Sequence, residues 1–121
     1  MNQKTDFTWS DKLRFALFDI DSIDIMKKAI TWYGVKHQIN KCNEECLELS
    51  SAIEIYNKPA PGYIHRHNTR SVADELADVF ITAIQAANII GVDEVVERIR
   101  FKLNRLNNRI EKQITEKNSA V

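Results

Sequence analysis

Glu45 and Glu48, in the run EECLE, and Glu75 and Asp78, in the run DELAD, form two acidic pairs, each with the spacing of one helical turn. If both segments are helical, each pair projects two carboxylates to one side. At about 100° per residue, Glu45 falls among Cys42, Cys46, Leu49, Ile53 and Tyr56, the apolar stripe of its helix, while Glu54 points away. The segment from Ser71 to Ile90 holds Asp74, Glu75 and Asp78 but no lysine or arginine, whereas a solvated helix face ordinarily mixes both signs. Thr82 and Gln85 prolong its polar strip. Carboxylates turned toward a core without cationic partners are costly, since desolvation and mutual repulsion both oppose ionisation. A bound cation relieves that cost. Oxygen donors on two helices, with no cysteine or histidine among them, suit a hard ion such as Mg²⁺ or Mn²⁺. The competing reading is two surface acid clusters engaged in ion pairs.

The elements that must position these side chains read as helices. Only three glycines and two prolines occur, and the long segments follow a helical period. Ser10 is the expected cap of a short N-terminal helix, and Asp21 or Ser22 the opening of a second that weakens or ends at Gly34. A third runs from Val35 or Ile39 to Tyr56 and stops before NKPAPG, with loop continuing to Thr69. Ser71 is the expected cap of a fourth helix ending at Gly91, and Asp93 that of a fifth. In the fifth, Val92, Val96, Ile99, Leu103, Leu106 and Ile110 form the seam of a helix that packs lengthwise on another. The expected fold is all-α, a four-helix bundle with an extra short N-terminal helix, in a single domain spanning residues 1–121. Residues 1–20 form an N-terminal extension and 115–121 a frayed polar tail.

Seventeen basic and seventeen acidic residues cancel, so no global field gathers a nucleic acid polymer or an anionic membrane. No apolar stretch approaches the roughly 20 residues that span a bilayer, and MNQKTDFTWSDK lacks the apolar centre of a signal peptide. A cytoplasmic location is the expectation. Cys42 and Cys46 lie one helical turn apart, where a disulfide restrains little, and read as reduced core residues.

Further features stand beside the acidic quartet. Arg98, Lys102, Arg105 and Arg109 fall within an arc of roughly 60° beside the seam of the last helix. They either snorkel over that seam, or Lys102 and Arg105 meet a polyphosphate held by the metal. The loop NKPAPGYIHRHNTR carries Lys58, His65, Arg66, His67 and Arg70 with no acid, which suits either a solvated loop or a cover over an anionic ligand. Trp32 and Tyr33 are core aromatics by default. Near the carboxylates, Trp32 can instead stack on a base and Gln38 bond its edge. A carboxylate-bridged di-iron site needs Glu-x-x-His pairs, which are absent, and no glycine-rich phosphate loop or nucleophile elbow occurs.

EECLE, then 26 residues intervening between Glu48 and Glu75, then ELAD resembles the EExxE and ExxD signature of the all-α nucleoside triphosphate pyrophosphohydrolases, the MazG-like group. KAITWYG with Gln38 resembles the first helix of small phage and prophage members, ADVFITAIQ their third and KLNRLNNRI their last, a coverage of about Lys27 to Ile110. The resemblance implies a metal-dependent hydrolase that cleaves a nucleoside triphosphate to monophosphate and pyrophosphate, in nucleotide-pool housecleaning. It implies Mg²⁺ on Glu45, Glu48, Glu75 and Asp78, with Glu45 the expected water-activating residue and Glu48 the alternative. Lys102 and Arg105 would hold phosphates, and Trp32 and Gln38 would contact base or sugar. Homodimers or dimers of dimers are the assemblies it implies. The long proline-containing loop departs from the group's shorter connections. The rival expectation is a helical binding or assembly module that keeps the fold without catalysis.

Overall fold

The computed structural model describes residues 8–58 and 65–120, with the side chains of 65–67 outside that description. The described residues are helical, with no strand, in five helices: α1 (Trp9–Phe18), α2 (Ile20–Tyr33), α3 (Val35–Asn57), α4 (His65–Ile90) and α5 (Val92–Ser119). Two compact units divide the chain, residues 1–86 and residues 87–121.

In the first unit, Thr8 rather than the expected Ser10 caps α1. Its hydroxyl accepts from Asp11 N at 3.2 Å while the Asp11 carboxylate accepts from Thr8 N at 3.3 Å, a reciprocal capping box. Asp19, in extended backbone, ends α1 and begins α2, so Ser22 lies inside α2. The Ser22 hydroxyl donates instead to the free carbonyl of Ala16 at 2.8 Å, satisfying the end of α1. α2 packs on both α1 and α3. Gly34 separates α2 from α3 at φ 95°, a conformation that side-chain-bearing residues rarely adopt. Its N–H bonds Ile30 O at 2.9 Å and its carbonyl accepts from Gln38 N at 3.1 Å, so one residue closes α2 and opens α3.

α4 is longer than the periodicity suggested. It is helical from His65, so Ser71 is an interior residue and not a cap. The loop expected to reach Thr69 therefore ends earlier, because nothing from His65 to Arg70 breaks a helix. The remainder of that loop, residues 59–64, lies outside the described residues.

The second unit consists of the end of α4 and all of α5. Gly91, at φ 134°, occupies the N-cap in place of the expected Asp93, which instead joins Glu94 in the first turn, where negative charge suits the helix dipole. α5 continues to Ser119 without fraying at Thr115. The Thr115 hydroxyl donates to Glu111 O at 2.9 Å, Lys112 pairs with Glu116 at 4.0 Å, and Lys117 sits in the last turn.

Burial is unusual. The buried hydrophobic residues among those described are Met26 and Ala52, whereas Gln38, Glu45, Asn68, Thr82 and Gln85 are buried polar ones. The interior of the first unit is therefore organised around polar side chains from α3 and α4. Cys42 is half-buried and Cys46 exposed, so the pair is free as expected, but Cys46 is no core residue. Loss of water around the sulfur, then the neighbouring Cys42, raises the Cys46 thiol, which favours its inert protonated form.

Candidate metal centre

Two helices bring the acidic pairs together. Glu45 on α3 is 4% exposed, as its place on the apolar stripe required, and Glu75 on α4 is half-buried. One carboxylate oxygen from each of Glu45, Glu48 and Glu75 lies within 4.8 Å of the others. Asp78 adjoins the group through Glu45. Burial, then the charge and hydrogen bonding of Glu45, then the charge of Asp74, raise the Asp78 carboxyl above its ordinary range, against an opposing pull from Lys41. Glu75 is raised for similar reasons: burial first, then the hydrogen bond and charge of Glu48, then the charges of Asp78 and Glu45. The spacing of residues 45, 48, 75 and 78 thus yields one electrostatically coupled cluster across two helices.

One correction is needed to the expectation that these acids lack cationic partners. Lys41, one turn before Glu45 on α3, pairs with Glu45 Oε1 at 3.2 Å and with Glu44 Oε2 at 3.6 Å. Those two contacts hold the ammonium above its ordinary value, Glu45 contributing first. A lysine four residues before an inward-facing glutamate was a legible signal. Glu44 belongs to this ion pair at the edge of the cluster.

Lys41 does not satisfy the site. Glu45 Oε2 and Glu75 Oε2 are buried with no hydrogen-bond partner. An orphaned buried carboxylate oxygen is costly, and two of them beside a third carboxylate present the all-oxygen donor set of a hard divalent cation. The residues present fit such an ion.

A pocket of about 370 Å³ opens beside the carboxylates, lined by Glu45 and Asp78 at one end and by Tyr33, His37, Gln38, Lys41, Thr82 and Gln85. Gln38 Nε2 donates to Gln85 Oε1 at 2.9 Å, and Gln85 Nε2 donates to the Met26 carbonyl at 3.0 Å, which ties α3 to α4 and α4 to α2. The Thr82 hydroxyl donates to Asp78 O at 2.8 Å. Tyr33 and His37 stack with ring centroids 5.0 Å apart.

Trp32 is 83% exposed and lines a separate hollow with Asp24, Lys27, Lys28 and Thr31, so Tyr33 and His37, rather than Trp32, accompany Gln38 at the pocket. Lys102 and Arg105 stand exposed on α5, in the second unit. The Arg98 and Arg105 guanidinium groups lie 4.6 Å and 5.9 Å from the centre of the Phe101 ring between them. Lys58 and Arg70 are exposed.

The described residues are helical throughout, and they bring carboxylates from two helices together, with orphaned oxygens on Glu45 and Glu75; the chain is of the all-α class. Within that class the family is definite: residues 35–110 match the MazG nucleotide pyrophosphohydrolase domain, and the chain belongs to that family. The matched span begins at α3, so α1 and α2 lie outside it, although Met26 of α2 anchors the pocket. No curated protein and no solved structure matches the chain.

Proposed function

We propose that this protein hydrolyses nucleoside or deoxynucleoside triphosphates to the monophosphate and pyrophosphate, using Mg²⁺, or Mn²⁺ in its place, held by Glu45, Glu48, Glu75 and Asp78. The observation that carries this reading is the pair of orphaned oxygens on Glu45 and Glu75, the first of these residues lining a pocket with Asp78, Lys41, Tyr33, His37 and Ile81. The ion, when bound, neutralises phosphoryl charge and lowers the pKa of a coordinated water.

The chain's own groups divide the remaining work. Glu45 has Oε1 committed to Lys41, which fixes its carboxylate plane and leaves Oε2 as a ligand atom. Glu48 is exposed and therefore open to water. We assign it the orientation of the attacking water and acceptance of its proton, with Glu45 as the alternative base. Attack forms a bond from the water oxygen to the α-phosphorus and breaks that phosphorus's bond to the bridging oxygen, so the electron pair leaves with pyrophosphate. Lys41, at the pocket wall, supplies positive charge to the phosphates. Lys102 and Arg105 are further phosphate contacts in this reading, and Gln38 contacts the base or sugar. Trp32 contacts the nucleotide only in an assembly that covers its exposed face.

This reading includes the four long helices acting as one bundle and a homodimer or dimer of dimers. The support for assembly is the apolar surface left open: Ile99, Leu103, Leu106 and Ile110 on the α5 seam are each more than 40% exposed. The deciding experiment is hydrolysis of a panel of canonical and modified nucleoside triphosphates with Mg²⁺, with products resolved by chromatography. Monophosphate plus pyrophosphate is expected. Diphosphate plus phosphate, or no turnover on any substrate, would overturn the proposal and favour a non-catalytic binding module.

A further inference from the structure

The amide relay at the back of the pocket fixes more than the helices it joins. A backbone carbonyl only accepts, so the Gln85 atom facing Met26 O at 3.0 Å must be its amide nitrogen. Gln85 Oε1 then faces Gln38 and requires a donor, so the Gln38 atom 2.9 Å away is also an amide nitrogen. Gln38 is thereby left with its oxygen toward His37 Nδ1 at 2.8 Å. An oxygen there accepts, so Nδ1 must carry the proton. Both glutamines are buried, at 5% and 2% exposure, and neither amide can turn over without breaking a bond to a fixed partner. In the neutral imidazole, Nε2 then carries no hydrogen and offers a lone pair.

His37 is exposed, lines the same pocket as Glu45 and Asp78, and is stacked on Tyr33. With Nδ1 engaged, Nε2 is the ring nitrogen left for a ligand. We propose that His37 is a specificity-determining residue of this pocket, locked by the Gln38–Gln85–Met26 relay in the tautomer that accepts a hydrogen bond at Nε2. Its ligand group is a donor on the nucleoside part of the substrate, a base N–H or a sugar hydroxyl. This role rests on the nucleotide reading above for its ligand but not for its tautomer. Gln85 is a positioning residue, because it acts through Gln38 and the imidazole, while Gln38 both holds the imidazole and faces the nucleoside in the reading above.

Two measurements test the proposal. Long-range ¹H–¹⁵N NMR of uniformly labelled protein at about pH 9, where an ordinary imidazole is neutral, reports the tautomer directly. The His37 resonances are assigned by their loss in His37→Asn. The expected result is a protonated Nδ1 and a bare Nε2, opposite to the preference of free histidine, and a protonated Nε2 would overturn the relay. For the ligand, binding of non-hydrolysable α,β-methylene triphosphates is measured by calorimetry with Mg²⁺. They are used in pairs in which one member lacks a base N–H through N-methylation, or lacks a sugar hydroxyl. Wild type is expected to prefer one donor-bearing member by about tenfold, the worth of one neutral hydrogen bond. His37→Asn, which keeps a donor near the Nδ1 position but removes the acceptor at Nε2, should level that preference, and His37→Gln, which reaches the Nε2 position, should restore part of it. The pair that responds identifies base or sugar as the source. Equal binding of every pair by wild type, or an unchanged preference in His37→Asn, would overturn the proposal. Discrimination in binding without hydrolysis of any triphosphate would instead sink the catalytic reading and leave this one standing.

Discussion

At the residue scale, the cluster is governed by burial first and by the repulsion of neighbouring carboxylates second. Glu75 and Asp78 are both raised, so in metal-free protein they hold protons at pH values where the unfolded chain has already released them. The folded state then binds more protons than the unfolded state, and stability falls as pH rises from the ordinary carboxylate range through the raised values. In EDTA, the melting temperature should decline across that window. Added Mg²⁺ should reverse the trend, because the ion requires the deprotonated ligands and binds the folded state alone. At a hundred times its Kd, such an ion adds about 2.7 kcal/mol by linkage. Thermal melts with and without Mg²⁺ across this pH range check both signs, and flat, superimposable curves would remove the metal site. Glu48→Gln and Asp78→Asn should each abolish hydrolysis while leaving the EDTA melting temperature equal or higher, since each deletes a repelling charge. A variant with near wild-type turnover would exclude its residue from the site.

At the element scale, the site depends on the register of α3 against α4, which the Gln38–Gln85 bond fixes. α5 belongs to the second unit. None of its residues is buried, and its basic stripe surrounds Phe101 on the open surface. Lys102→Ala and Arg105→Ala should therefore leave unfolding unchanged, since exposed charges contribute little to stability. If they hold phosphates, the Michaelis constant should rise, and turnover should fall with it where the contact tightens during attack. Steady-state kinetics at saturating Mg²⁺, run in parallel with denaturant unfolding, separates these outcomes. Unchanged kinetics in both variants would return the stripe to a solvated helix edge.

At the scale of the whole molecule, the burial pattern bears on the proposed assembly. A chain of 121 residues ordinarily encloses a substantial apolar core, yet the buried hydrophobic residues among those described are Met26 and Ala52. An apolar groove of about 500 Å³, with Leu13 and Leu17 of α1 facing Leu76, Phe80 and Ile81 of α4, also stands open. Patches of this kind on a protein in water mark contact surfaces. We expect sedimentation equilibrium to give at least a dimer and the melting temperature to rise with protein concentration. Leu103→Glu on the α5 seam should lower the assembly state. A wild-type monomer with cooperative, concentration-independent unfolding would refute the assembly.

The helical class, the break at Gly34 and the two-helix origin of the carboxylates were legible in the sequence, because each follows from local chemistry. Periodicity placed Glu45 on the inner stripe, and one turn of separation defined each acidic pair. Helix ends were read less well. Thr8 displaced Ser10 because a cap depends on a reciprocal partner at Asp11, and Ser71 lost its role because a preceding helical turn left it no free N–H groups to cap. Pairing between distant positions was beyond local reading. That Tyr33 and His37 line the pocket while Trp32 lines another hollow depends on the packing of α2 on α3, and the His37 tautomer on a hydrogen bond spanning α4 to α2. Sequence supplied the donor atoms, but only their tertiary arrangement decided which oxygens lost water without gaining a partner. That imbalance, at Glu45 and Glu75, is what supports the proposed cation site.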